Sequence, residues 1–182
     1  MRSANRAARA AERTLLAQLR PVLMPSRLDD PPQKVGFFDE KWLVVKGGGG
    51  AVDVRDGAVY LAIALRNAGT GIAVLHGWNF YPGRETSDHA APEDFRRLTR
   101  DLYVPVGEVG FWQGALRDPA EPAFADIRRA IEERQAMTID VLYSDHEGGQ
   151  RTITRFGLLP RDDGSWIAAV GRHWNLDRPD PR

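Results

Sequence analysis

Bulky apolar residues alternate with small or polar ones across residues 58–66. Val59, Leu61, Ile63 and Leu65 fall on one side, and Tyr60, Ala62, Ala64 and Arg66 on the other. A period of two predicts a β-strand with one bulky inward face. Further strands are predicted in KWLVV (41–45), GIAVLHGWNFYPG (71–83), DLYVPVGEVGFWQGAL (101–116), MTIDVLYSD (137–145), RTITRFGLL (151–159) and SWIAAVGRHWNL (165–176), all rich in β-branched and aromatic residues. PVLMPS at 21–26 reads as an edge strand, because Pro25 removes a ladder donor. Turns are expected at 67–71, at Gly107-Glu108, at 146–150 and at Asp163-Gly164. Gly47–Gly50 reads as a flexible loop tip, DDPPQK at 29–34 as a linker-like turn, and 84–100 as a polar loop with at most a short helix at 93–98.

Two segments follow a different rhythm. RSANRAARAAERTLLAQLR is built from strong helix formers, with Ser3 placed to cap its start and Pro21 to end it. Arg2, Arg6, Arg9, Arg13 and Arg20 share one face at 100° per residue, and Ala4, Ala8, Ala11, Leu15 and Leu19 lie opposite. A second helix is expected at about 122–134, with Pro122 in its first turn and Phe124, Ile127 and Ile131 on one face. Seven or so short strands separated by turns predict a mainly β chain, an immunoglobulin-like β-sandwich with an N-terminal basic helix and one inserted helix. The expected division is a helical appendage at 1–20 and the sandwich at 21–182.

Composition narrows the function. The chain has no cysteine, which excludes disulfides, thiolate metal sites and cysteine nucleophiles and fits a cytoplasmic setting. No apolar run approaches the roughly 20 residues that span a bilayer. Formal net charge is zero, but residues 1–20 carry five arginines against Glu12, 5 − 1 = +4, leaving −4 on the remainder. The strip formed by Arg2, Arg6, Arg9 and Arg13 is the expected contact with an anionic surface or a protein partner. Nucleic acid is disfavoured, since no basic patch or stacking motif accompanies the strip.

The run HEGGQ at 146–150 stands one residue from HExxH, the helical zinc signature of metalloproteases. Its two spacers are glycines, its flanks are strand formers, and Gln150 replaces the second histidine, so a hairpin turn is expected. A weaker metal-assisted hydrolase remains as the alternative, in which His146, Glu147 and His173 meet at one end of the sheet. GFWQGALRD at 110–118 is the second binding candidate, because Phe111, Trp112, Gln113 and Arg117 combine stacking with hydrogen bonding. KGGGGA lacks the Lys-Ser/Thr pair and helix of a phosphate loop, no GxSxG elbow occurs, and no cofactor is expected.

Several stretches, AERTLLAQLRPVLMPSR, LAIALRNAGTGIAVLHGW, TRDLYVPVGEVGFWQGALRD, TIDVLYSDHEGGQRTITRF and RHWNLDRPDPR, together resemble an uncharacterised family of actinobacterial proteins, from about residue 12 to the end. RNAGTGIA also resembles the NxGxGxA strand-turn-strand of immunoglobulin-like domains in bacterial membrane-anchored proteins. The resemblance implies the sandwich fold and no activity. In that plan transmembrane helices and a helical stalk precede the domain, whereas Met1 here falls inside the stalk. The chain is then either a soluble member or one whose start lies upstream. The expected function is a non-enzymatic binding or scaffolding module beside a membrane.

Overall fold

A computed structural model describes the backbone of residues 2–180 and the side chains from residue 4 onward. Strand accounts for 46% of the chain and helix for 15%, so the protein is mainly β. In chain order, α1 (Arg2–Gln18) precedes β1 (Leu23–Pro25), β2 (Gln33–Gly36), β3 (Trp42–Val45), β4 (Gly49–Arg55), β5 (Ala58–Asn67), β6 (Ala73–Pro82), β7 (Arg96–Val104) and β8 (Val109–Leu116). Then come α2 (Phe124–Glu132), β9 (Met137–Ser144), β10 (Thr152–Pro160) and β11 (Trp166–Asn175). The Ser3 cap expected from the sequence lies outside the described side chains.

All strands but β2 and β3 belong to one curled antiparallel sheet. β5 is its hub, pairing with β8 along one edge and with β4 and then β1 along the other. The facing layer runs β11-β10-β9-β6-β7. The layers join through two residue pairs, Gly50 with Trp166 and Gly49 with Ile167. Val59, Leu61, Ile63 and Leu65 point into the enclosed core, as their alternation requires, against Ile139, Val141 and Phe156 of the other layer. α2 adds Phe124, Ile127 and Ala130 to the same core.

Three segments depart from the sequence reading. Gly49 and Gly50 are strand residues rather than a loop tip, because a methyl at Gly50 would collide with Leu158 where the layers meet. The supposed turn at 29–34 leads into β2, which with β3 forms a hairpin whose Val35, Phe37 and Val45 cover Tyr60, Ala62 and Ala64. Both faces of β5 are therefore buried. The third departure is β7, which starts at Arg96 inside the expected loop; its run of outward charges hides the strand period.

α1 meets the body only at its C-terminal end among the described residues. Gln150 Nε2 donates to Leu16 O at 2.5 Å, and Thr70 Oγ1 donates to Ala17 O at 2.7 Å. Residues 4–18 are solvent-exposed, Leu15 at 58%. The body thus reaches back past the expected boundary at residue 20. Removing residues 1–14 should change unfolding free energy by less than about 0.5 kcal/mol, as for surface changes. Removing 1–20 deletes these two hydrogen bonds and those that Thr70 and Gly71 N–H make to Arg20 O, and should cost about 2 kcal/mol. Denaturant melts of the two truncated chains check this; equal stability would contradict it.

Candidate functional site

Residues 146–150 form the turn between β9 and β10. Asp145 is buried, and its Oδ1 accepts from Glu147 N at 2.9 Å and Gly149 N at 3.0 Å, while Gly148 takes a φ of 82°. Gln150, at the second ligand position of the HExxH-like run, holds the last turn of α1 instead. His146 and Glu147 approach each other to 3.3 Å on the outside of the turn, with side chains 42% and 69% exposed. His173 sits on β11 with Nδ1 against Thr154 Oγ1 at 2.7 Å. The structure does not bring His146, Glu147 and His173 together, and no group of three such donors converges among the described residues.

The four residues of the second candidate also separate, because a strand sends neighbours to opposite faces. Trp112 is buried in the core, edge-on to Trp78 at 5.3 Å between ring centres. Phe111 packs on the other face against the β2–β3 hairpin cluster, and Gln113 is buried on the adjoining rung. Arg117 pairs with Asp39 at 2.9 and 3.2 Å, and Tyr60 Oη donates to Asp39 at 2.5 Å. This cluster pins the hairpin tip to β5 and β8, and beside it Gln113 and Arg117 line a small pocket of about 40 Å³ with Trp78 and Arg96.

The Arg117 guanidinium lowers Asp39 from 3.8 to about 2, whereas burial and the Asp39 hydrogen bond raise Tyr60 from 10.0 to about 12. Asp39 stabilises the fold fully above 3.8, and its contribution fades as pH falls toward about 2. Tyr60 contributes fully below 10.0, and its share fades as pH rises toward about 12. Since the pair is partly exposed, the acid-side loss should be about 1 kcal/mol. Asp39→Asn should remove that fade in a denaturant series across this range; an unchanged acid slope would contradict the assignment.

Three features of the other layer were not legible as a site. First, Arg155 on β10 lies directly opposite Asp140 on β9 and pairs with it through two 2.7 Å bonds. Arg155 Nη1 also donates to Ser87 O at 2.6 Å, and the guanidinium lies 4.8 Å from the Trp174 ring and 5.1 Å from Tyr81. The pair therefore ties residues 83–90 across the outer face of the sheet, beside a groove of about 370 Å³ floored by Gly157 and Ala169. Counting outward from a 146–150 turn pairs 145 with 151 and so sets Arg155 opposite Val141, one residue off the register the strands adopt.

Second, Tyr143 Oη accepts from Leu23 N at 3.1 Å and contacts Thr154 Oγ1 at 2.9 Å, which in turn meets His173 Nδ1. If Tyr143 donates to Thr154 and Thr154 to Nδ1, every hydroxyl proton in this buried chain has an acceptor. The third feature is an open edge. β11 leaves the ladder with β4 after Ile167, so its C-terminal half faces β1 across a cleft of about 290 Å³. Arg20, Tyr143, Thr152, Arg172, His173 and Asn175 are among the residues lining it.

On α1, Arg6, Arg9 and Arg13 stand exposed, and none has a carboxylate within ion-pair distance among the described residues. The side chain of Arg2 lies outside the described residues. No helix among them is long and apolar enough to cross a membrane. No family model, curated protein or solved structure matches this chain.

Proposed function

We propose that the protein is a non-enzymatic binding module that docks on an anionic membrane surface through α1. The observation that carries this reading is the arginine strip of α1. Among the described residues, Arg6, Arg9 and Arg13 project from a helix bonded to the body only through its last turn, and no carboxylate pairs with them. Ala4, Ala8, Ala11 and Leu15 form the opposite face. Such a helix can lie in the interface, placing its small apolar face toward the acyl boundary and its cations among acidic headgroups. The rest of the chain carries a net charge of −4 and no stacking motif accompanies the strip, which favours a lipid surface over nucleic acid.

The finer fold assignment belongs to the same reading. β1, β4, β5 and β8 form one layer, β7-β6-β9-β10-β11 the other, and the chain crosses between them as in an immunoglobulin-like sandwich. Trp78, buried on β6 against Trp112, supports that assignment. The domain is then a rigid body that presents loops and grooves to a protein partner while α1 holds it at the surface.

Sedimentation with vesicles of phosphatidylserine and phosphatidylcholine tests this. The protein should co-sediment with acidic vesicles and not with neutral ones. Replacing Arg6, Arg9 and Arg13 by Gln should remove about 3 kcal/mol, on the order of 100-fold, at about 1 kcal/mol per arginine near the surface. Equal binding of the variant would overturn the reading, as would a preference for DNA or self-association through α1.

A further inference from the structure

The outer face of the β2–β3 hairpin carries an apolar strip that stands open to solvent among the described residues. Trp42 and Val44 point outward from β3, while Val35, Phe37 and Val45 seat the hairpin on Tyr60, Ala62 and Ala64. Phe38 stands at the tip, 95% exposed, and Leu28 stands exposed beside Gly48 at the base. The strip is held in place. The Trp42 ring lies across Gly36, where a methyl would come within 2.8 Å of it, and Lys34 Nζ sits 4.6 Å from the ring centre. At the tip, Phe37 N–H donates to Lys41 O and Glu40 N–H to Phe37 O, and Asp39 is fixed by Arg117 and Tyr60. Glu40 takes a φ of 61°, a left-handed conformation that glycine or asparagine adopts more readily. A glutamate held there, at an exposed tip, points to a use for its carboxylate.

Area and charge together decide what covers the strip. Phe38 and Trp42, the latter 59% exposed, present about 300 Å² between them at roughly 200 Å² per aromatic side chain. Val44 and Leu28 carry the strip well into the range of about 300–600 Å² that marks the largest apolar patch of a monomer. A two-fold contact needs about 800 Å² per copy, which is an apolar centre of this size with a polar rim. Glu40 at the tip and Lys46 at the base are both exposed, and neither has an ion-pair partner among the described residues. The other tip charges are already paired, Asp39 with Arg117 and Lys41 with Asp56. A two-fold axis in the contact plane, crossing β3 between Trp42 and Val44, sets the tip of one copy over the base of the other. Trp42 then meets Val44 of the second copy, Glu40 meets Lys46 and Phe38 meets Leu28, each contact occurring twice. A face carrying both signs complements itself, whereas an acidic vesicle would repel the Glu40 tip. We propose that the outer face of the β2–β3 hairpin binds a second copy of this chain in a two-fold dimer. Phe38, Trp42 and Val44 form its apolar centre, and a Glu40–Lys46 pair closes each end. The contact is separate from α1 and goes beyond the surface-docking reading.

Sedimentation equilibrium of the full chain should show monomer and dimer exchanging with a dissociation constant of about 100 μM or tighter, ordinary for a contact of this area. Phe38→Ser and Val44→Lys should each weaken the dimer by about tenfold or more, as loss of a central apolar contact does. Both side chains are exposed in the single copy, so the melting temperature of the dilute protein should stay nearly unchanged. Glu40→Lys alone and Lys46→Glu alone should each weaken the dimer by about fivefold or more, because symmetry counts each change twice. The double variant should restore it, since the exchanged charges meet again when tip lies over base. The chain with Gln at positions 6, 9 and 13 should dimerise normally, so this contact and the vesicle reading fail independently. A chain that stays monomeric at about 1 mM would overturn the proposal, as would a dimer that both Phe38→Ser and Val44→Lys leave intact. A double charge variant no better than either single one would contradict the contact equally. So would a Phe38→Ser chain that loses vesicle binding and keeps the dimer, because the strip would then belong to lipid.

Discussion

Arg155→Ala should destabilise the protein by about 3–5 kcal/mol, the usual result of removing one partner from a buried ion pair. The Asp140 carboxylate is fully buried and would lose both bonds to the guanidinium. Residues 83–90 would lose the Nη1 bond to Ser87 O, and Trp174 one of its two cation neighbours, Arg172 remaining. A drop in melting temperature of about 10 °C is expected for a chain of this length. Faster proteolysis within residues 83–90 should accompany it. The double variant Asp140→Leu/Arg155→Met should recover most of the loss, because two apolar groups leave no uncompensated charge. A single-variant cost below about 1 kcal/mol would show that the pair is solvated.

Asn67→Ala should cost about 3 kcal/mol, the sum expected for four hydrogen bonds at a buried site. Asn67 Oδ1 accepts from Val22 N at 3.2 Å and Gly69 N at 2.9 Å. Its Nδ2 donates to Gly71 O at 2.7 Å and Val104 O at 2.9 Å. One side chain thereby joins β1, the 67–71 turn and the end of β7. The two glycines that follow are needed for close approach, since a methyl at Gly69 would strike Arg20 O and one at Gly71 would strike Leu19 O. Asn67→Asp should be no better tolerated than alanine, because it keeps the acceptor, loses both donors and buries a carboxylate. A denaturant melt measures both variants, and wild-type stability in either would contradict this role.

The Asn67 result also shows where sequence reading stops. RNAGTGIA was legible as a turn, because glycine and asparagine mark turns locally. Its four bonds depend on β1 and β7, which local pattern cannot bring together. The alternation of β5 was legible for one face, but its second buried face required β2, hidden in a polar segment beside two prolines. α1 was legible because its composition and periodicity are local, and α2 lies within the expected 122–134. Asp140 and Arg155 carry no local signal of a buried pair, since burial by residues 83–90 is a tertiary event. Arg20 read as part of the helical strip, whereas helix α1 ends at Gln18 and Arg20 turns to the β1–β11 cleft.

Amide hydrogen exchange of the full chain, with and without acidic vesicles at low salt, tests the surface-docking account most directly. In solution the amides of residues 4–14 should exchange fast, because short isolated helices are marginal in water. Acidic vesicles should slow exchange along α1 alone, and about 0.5 M salt should restore it, since screening then acts within roughly 4 Å. The strands should exchange alike in both conditions. Protection centred on the sheet, or none on α1 at any salt concentration, would contradict the account.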